Sequence, residues 1–199
     1  MDLYLIRHGK TQGNLEGRYI GVTDEPLCAE GKKALMLLRE EEKFPAVQCV
    51  YCSPLKRCTE SAAILFPKTP AQTIENLREC DFGEFENKNY QELSGHLAYQ
   101  KWIDSNGTLP FPAGEDQRDF RNRCAKAFTD IVEDLLLCGM DSAAIVAHGG
   151  TIMSILERYA RPAKPFYDWQ VKNGGGYHIS LTKGQWKTDH CVQILKIMV

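Results

Sequence analysis

The 199-residue sequence has no apolar run approaching the length of a membrane span. Its start has no basic stretch leading into an apolar one, so no signal peptide is read there and the cytoplasm is the expected compartment. Neither sign of charge dominates: 24 Lys and Arg against 26 Asp and Glu leave a formal net charge of −2. A general attraction to nucleic acid or an anionic membrane is therefore not expected, and any phosphate affinity must come from a local cluster. Eight cysteines are present, but disulfide frameworks belong to smaller, secreted chains. Cys49 and Cys52 form a Cys-x-x-Cys pair, and no second pair completes a zinc site. Strand geometry would set these two on opposite faces, and the cysteines read as mostly buried, reduced thiols. His-Glu-x-x-His and clustered aspartates are missing, so no metal or cofactor is expected. Gly-x-Ser-x-Gly is missing too, which removes a lipase-like reading of His148-Gly149-Gly150. Asp81-Phe82-Gly83 matches a kinase magnesium motif, but no glycine-rich ATP loop or His-Arg-Asp accompanies it. Repeats and linkers are absent, and nothing defines an oligomeric state.

What is present is ordinary for a globular protein: 43% hydrophobic and 25% charged residues. The length suits one domain over 1–199 with a sizeable core. Periodicity predicts helices over Leu27–Glu42, Leu55–Leu65, Tyr90–Trp102, Asp116–Leu137 and Ile152–Tyr159. The fourth is the clearest, with Phe120, Cys124, Phe128, Ile131 and Leu135 at helical spacing. Apolar runs predict strands at Leu3–Ile6, Val47–Cys52, Gln72–Glu75, Ala143–Ala147, Tyr177–Thr182 and Cys191–Ile197. The last two, joined by a turn at Gly184, are expected to be antiparallel at an edge. Leu15–Glu25 and the acid-rich Leu77–Asn89 read as loops, and Gly17 and Gly21 are expected to permit unusual backbone angles. Strands alternating with helices predict an α/β sandwich with a mostly parallel sheet.

Two strands end alike. Leu3–Ile6 runs into Arg7-His8-Gly9-Lys10-Thr11, with Asn14 close behind, and Ala143–Ala147 runs into His148-Gly149-Gly150-Thr151. Ligand sites of open α/β sheets lie at the carboxyl ends of strands. An arginine there can hold a phosphate, and a histidine there can act as nucleophile or base. A strand whose polar cap merely faces water is the alternative for either stretch alone. By itself Arg57 reads as a surface residue paired with Glu60, Asn14 as a turn cap, and Glu79 as one solvated acid among Asp81 and Glu84. His96, His178 and His190 read as structural.

Arg7-His8-Gly9-x-Thr11-x-x-Asn14 resembles the signature of the histidine phosphatase superfamily, which includes the phosphoglycerate mutases. Ser53-Pro54-Leu55-Lys56-Arg57, Glu79-x-Asp81-Phe82-Gly83-Glu84 and His148-Gly149-Gly150 resemble its later motifs in the same order, so the resemblance covers nearly the whole chain. It implies a three-layer sandwich with helices on both faces of the sheet. It also implies metal-free hydrolysis of a small phosphorylated metabolite, with His8 as nucleophile and Glu79, rather than Asp81 or Glu84, as general acid. Arg7, Arg57, Asn14 and Gly149 would hold the phosphoryl group, and His148, if protonated, would add a third positive donor. The compact chain looks more like a phosphatase than a mutase. Tyr99-x-x-Trp102, Pro112-x-Gly114-Glu115, Phe120 and Arg123 resemble the α-ribazole phosphatases. Mutase activity, or a non-catalytic module that binds a phosphorylated ligand, are the alternatives. Lys10, Cys28, Cys58 and Asp116 depart from residues frequent in the family. Lys10, Tyr90, Tyr99, Trp102 and Arg118 are the expected rim residues, with Trp102 read more readily as core.

Overall fold

The computed structural model describes residues 1–198. The chain opens with β1 (Asp2–Arg7), a single turn α1 (Gln12–Leu15), α2 (Ala29–Glu40), β2 (Cys49–Cys52), α3 (Lys56–Leu65) and β3 (Ala71–Thr73). It continues with α4 (Leu97–Asp104), α5 (Gln117–Leu137), β4 (Ser142–Ala147), α6 (Gly149–Tyr159) and β5 (Ala160–Arg161). It closes with β6 (Gly176–Ser180), α7 (Lys183–Asp189) and β7 (Val192–Met198). Among the described residues no helix is long and apolar enough to cross a membrane.

All seven strands join one sheet in the order β3-β2-β4-β1-β6-β7-β5. β1 and β2 flank β4, both parallel to it, and β3 lies parallel to β2. β6 runs antiparallel between β1 and β7. Alternation along β1 builds the layers. Leu3 and Leu5 pack on one side with Phe128, Ile131 and Leu135 of α5 and Ile152 and Ile155 of α6. Tyr4 and Ile6 pack on the other with Leu35 of α2 and Cys58 and Ala62 of α3. Helices therefore cover both faces, as expected. Cys49 and Cys52 fall on opposite sides, as the strand period requires.

The differences from expectation have local causes. The predicted Tyr90 helix begins only at Leu97, because Asn89 caps the amides of Gln91 and Glu92 in a turn and Gly95 sits at φ +84°. The Leu27 helix begins at Ala29, since Leu27 is bridged to Thr11 and the Cys28 thiol accepts from the Gly31 amide. The expected turn at Gly184 is a helix, α7, capped by Thr182. The two final strands are antiparallel, but the edge belongs to β5, which the sequence reading missed. All eight cysteines are free thiols, yet four alone are buried: Cys52, Cys58, Cys80 and Cys124.

α5 follows the pattern closely. The Asp116 carboxylate caps the Arg118 and Asp119 amides at 2.8 and 3.2 Å, and Gly139 follows the helix at φ +67°. α2 lies hard against the loop after β1: a Cβ on Gly31 would come 2.1 Å from the Lys10 carbonyl oxygen. Gly31→Ala must push α2 away from that loop. It is expected to cost about 1–3 kcal/mol, lowering Tm by roughly 2–12 °C in a chain of this size. Calorimetry checks it, and an unchanged Tm would show that the two elements are not in that contact.

Candidate active site

The parallel pairing of β1 with β4 matches Arg7 to Ala147, so the residues that follow, His8 and His148, leave the sheet side by side. Their rings meet edge to face, 5.1 Å between centroids, and both are buried. His8 Nδ1 lies 2.7 Å from the carbonyl oxygen of Gly9. A carbonyl only accepts, so Nδ1 carries the proton and Nε2 keeps its lone pair. Burial, reinforced by the charges of Arg57 and Arg7, holds His8 well below the ordinary histidine value. His8 is thus a neutral imidazole with a free Nε2.

His148 is held differently. Its Nδ1 accepts from Nε of Arg57 at 3.2 Å, which leaves Nε2–H to donate to the Ser53 hydroxyl at 2.8 Å. The Cys58 sulfur lies 3.4 Å from the same Nε2. Burial and then the Arg57 charge push its pKa well down. The condition set for His148, that it be protonated, is thus disfavoured without a bound anion: an imidazolium here would lack solvent and face two guanidinium groups.

Arg57 is fully buried, not a surface partner of Glu60, which instead pairs with Lys32. Its Nη1 donates to the Thr23 carbonyl at 2.7 Å, and Nη2 to the Gly21 carbonyl at 2.7 Å. The fork expected to face a phosphate is largely committed to the Leu15–Glu25 loop, which it clamps over α3. Gly21 serves this loop by close approach rather than by an unusual angle, since a Cβ would sit 1.9 Å from the Cys80 carbonyl oxygen. Gly17 does take a left-handed angle, φ +66°. One turn beyond Arg57, Ser61 accepts from the Gly9 amide at 2.9 Å and ties α3 to the end of β1.

Arg7 keeps more freedom. Nη1 donates to the Val171 carbonyl at 2.8 Å, while its buried Nε has no partner among the described residues. Gly149 lies over this guanidinium, a Cβ there being 3.5 Å from Cζ. Asn14 closes the α1 cap, its Oδ1 accepting from the Thr11 amide and from Nδ2 of Asn173 at 3.1 Å. Asn173 also donates to the His8 carbonyl. No motif in the sequence marks Asn173. Its role in the site could be found only from the fold, because β6 returns beside β1.

Of the three acids in one loop, Glu79 reaches the cluster. Its Oε2 accepts from the Gly150 amide at 3.0 Å and its Oε1 from the Cys80 amide at 3.0 Å. Burial raises its pKa, with those amides and the two arginines pulling the other way. Asp81 caps the Gly83 amide of its own turn, and Glu84 lies toward His96 at the surface. Arg123 steadies the loop, its Nη2 donating to the Glu79 carbonyl at 2.9 Å while Glu115 holds its Nε at 2.6 Å.

A cavity of about 320 Å³ opens above Arg7, Glu79 and Gly149. Its wall is aromatic, including Tyr19, Phe82, Trp102, Phe111, Phe120 and Phe166. Of the expected rim residues, Trp102 lines it, and Tyr99 stands behind, stacked on Trp102. The other three are corrected. Lys10 is exposed and paired with Glu30, Tyr90 is 65% exposed on the outer loop, and Arg118 lines a neighbouring groove. Lys10 is drawn to Glu30 of α2, Tyr90 sits on an outer loop and Arg118 on the first turn of α5, placements that no local pattern reveals. Arg121, Gln117 and Phe166 were missed as lining residues; helical spacing from Phe120 would have pointed to Gln117 alone.

The family model for the histidine phosphatase superfamily (branch 1) matches residues 3–193, and the chain belongs to that family. It is 32% identical over 171 residues to a 2,3-bisphosphoglycerate-dependent phosphoglycerate mutase of Rhizobium etli, covering 80% of each chain. It is 28% identical over 180 residues to the adenosylcobalamin/α-ribazole phosphatase of Escherichia coli K12, covering 87% of each. Among solved structures, the α-ribazole phosphatase of Shigella flexneri superposes with a TM-score of 0.82 at 25% identity, over 100% of this chain and 96% of that one.

Gly150 has no room for a side chain: a Cβ would fall 2.4 Å from Glu79 Oε1 and 3.0 Å from Phe120 Cζ. Gly150→Ala is expected to displace the Glu79 carboxylate and to reduce kcat on an alkyl phosphate by roughly 10²-fold or more, the low end for a lost proton donor. Steady-state kinetics on a folded variant check this, and near-normal kcat would separate Glu79 from the reaction.

Proposed function

We propose that this superfamily member is a phosphomonoesterase, a single catalytic domain acting through a phosphohistidine on His8. Uncatalysed phosphate monoester hydrolysis is among the slowest reactions known, needing up to about 10²¹-fold acceleration. Division into two displacements makes it tractable. In the first, the His8 Nε2 lone pair attacks phosphorus, the ester P–O bond breaks, and Glu79 gives its proton to the departing alkoxide. In the second, water attacks the phosphohistidine, Glu79 takes a proton from it, and the P–N bond breaks to restore His8. The observation that carries this reading is the Nδ1–H bond to Gly9, which leaves Nε2 as the free base.

The remaining groups hold the phosphoryl oxygens. Arg7 supplies the least committed cation, and the α6 N-terminus beside Gly149 adds its dipole. Asn14 contributes its amide N–H. A phosphate dianion would lift the depressed His148 pKa, and the ring could then donate to it as a cation by giving up its bond with Arg57 Nε or with the Ser53 hydroxyl. Among the described residues no group of three or more His, Cys, Asp or Glu is placed for a metal ion. In this reading the arginines carry the charge neutralisation, so hydrolysis should survive EDTA, and a complete, metal-reversible loss of activity would overturn it. The aromatic cavity, together with relatives named α-ribazole phosphatase, supports a small ring-bearing phosphate such as α-ribazole 5′-phosphate as substrate.

Rapid quenching of wild type with labelled substrate should trap acid-labile phosphate on the protein, and His8→Ala should abolish both the label and turnover. A labelled His8→Ala would put the nucleophile elsewhere.

The proton donor has its own test. Glu79→Gln should slow an alkyl phosphate about 10²–10⁴-fold but p-nitrophenyl phosphate much less, because nitrophenolate leaves without a proton. The pH profile follows from the two shifts. His8 must be neutral, and its lowered pKa places the acid limb of kcat/KM below 6.5. Glu79 must be protonated, and its raised pKa keeps the proton in place above 4.5, with activity falling as pH rises through the raised value. An alkaline limb that persists unchanged in Glu79→Gln would assign the proton to another group.

A further inference from the structure

The cavity above the phosphate cradle has three charged lining residues: Arg7, Glu79 and Arg121. The first two belong to the reaction. Arg121 is already neutralised, its Nη1 lying 2.9 and 3.2 Å from the two carboxylate oxygens of Glu157. Its guanidinium lies 4.1 Å over the Phe166 ring, which fixes it as part of the wall. A second anionic group on a substrate would have to displace Glu157 to find a cation here. Two buried donors on the same wall nevertheless stand without partners among the described residues, Arg121 Nε and Trp102 Nε1. Buried N–H groups normally have acceptors, and a bound ligand is a natural source of them.

We infer that Glu157 and Arg121 act as a charge filter, so that the preferred leaving group is an uncharged, flat ring bearing hydrogen-bond acceptors, and glycerate-type leaving groups with a second anion are rejected. This rests on the phosphatase reading above. The aromatic wall stacks the ring, Trp102 Nε1 and Arg121 Nε donate to its acceptors once a side-chain shift uncovers them, and Arg7 with the cradle binds the phosphoryl group. Glu157 is a positioning residue: it touches Arg121, not the substrate.

The test compares three phosphates of primary alcohols, so that leaving-group chemistry is matched: 2-quinolinylmethyl phosphate, 2-naphthylmethyl phosphate and 3-phosphoglycerate. Wild type should favour the quinoline ester over 3-phosphoglycerate at least tenfold in kcat/KM. Trp102→Phe, which keeps a ring but loses the N–H, should reduce the quinoline ester more than the naphthalene ester. Glu157→Gln, with its unfolding temperature checked, should release Arg121 and shift the ratio toward 3-phosphoglycerate by roughly tenfold, about 1.4 kcal/mol. Affinities of the same esters measured on His8→Ala keep the comparison independent of turnover. A wild-type preference for 3-phosphoglycerate, or a Glu157→Gln ratio that does not move, overturns the filter. Ester affinities in the expected order with no turnover of any ester would instead overturn the phosphatase reading and leave the filter standing.

Discussion

Everything in the site depends on one strand pairing. β1 and β4 run parallel with Arg7 opposite Ala147, and each is followed at once by a histidine. Parallel neighbours end at the same edge of a sheet, so the two imidazoles emerge together, next in the chain to Arg7 and Gly149, which line the cavity. A slip of one residue would turn Leu3 and Leu5 onto the opposite helical layer and carry His8 with them. The apolar alternation of β1, buried on both faces, thus guards the placing of the two histidines as well as the core.

Burial then sets the chemistry. Taken with their ordinary values of 6.5 and 4.5, a histidine and a glutamate would rarely be neutral base and protonated acid together. Midway between those values the joint population would be about 1%. Removing both from water lowers the one and raises the other, so each shift moves its group toward its neutral form. The neighbouring arginines help with His8 and oppose the effect at Glu79, where desolvation prevails.

The cluster is braced from outside. Arg57 ties the Leu15–Glu25 loop to His148, Asn173 joins Asn14 to the His8 carbonyl, and Arg123 fixes the Glu79 loop from α5. These contacts make Arg57 and Arg123 organisers of backbone carbonyls, which suits a planar group with five donors. Tyr19 and Phe82 of the aromatic wall stand on the loops that Arg57 and Arg123 hold, so the cavity and the histidine cluster share a scaffold, with Arg7 and Glu79 common to both.

The order of strands and helices, the α5 cap at Asp116 and the two strand-end histidines were legible in the sequence, because each is written in a local period or a short motif. Glu79 was legible only through the motif order, since three acids crowd one loop and nothing local ranks them. The start of α4 at Leu97, the helix at Gly184 and the β5 edge were not, because short turns and caps outweighed the apolar pattern. Nor were the commitment of Arg57 to carbonyls, the neutral state of His148, or the places of Lys10, Tyr90 and Arg118 outside the cavity. By itself the sequence determined the layered α/β fold and the chemical groups available, which follow from side-chain periodicity and residue type. The tertiary structure alone decided which groups meet, which are charged and what the pocket admits, because burial and long-range contacts act between residues far apart in the chain.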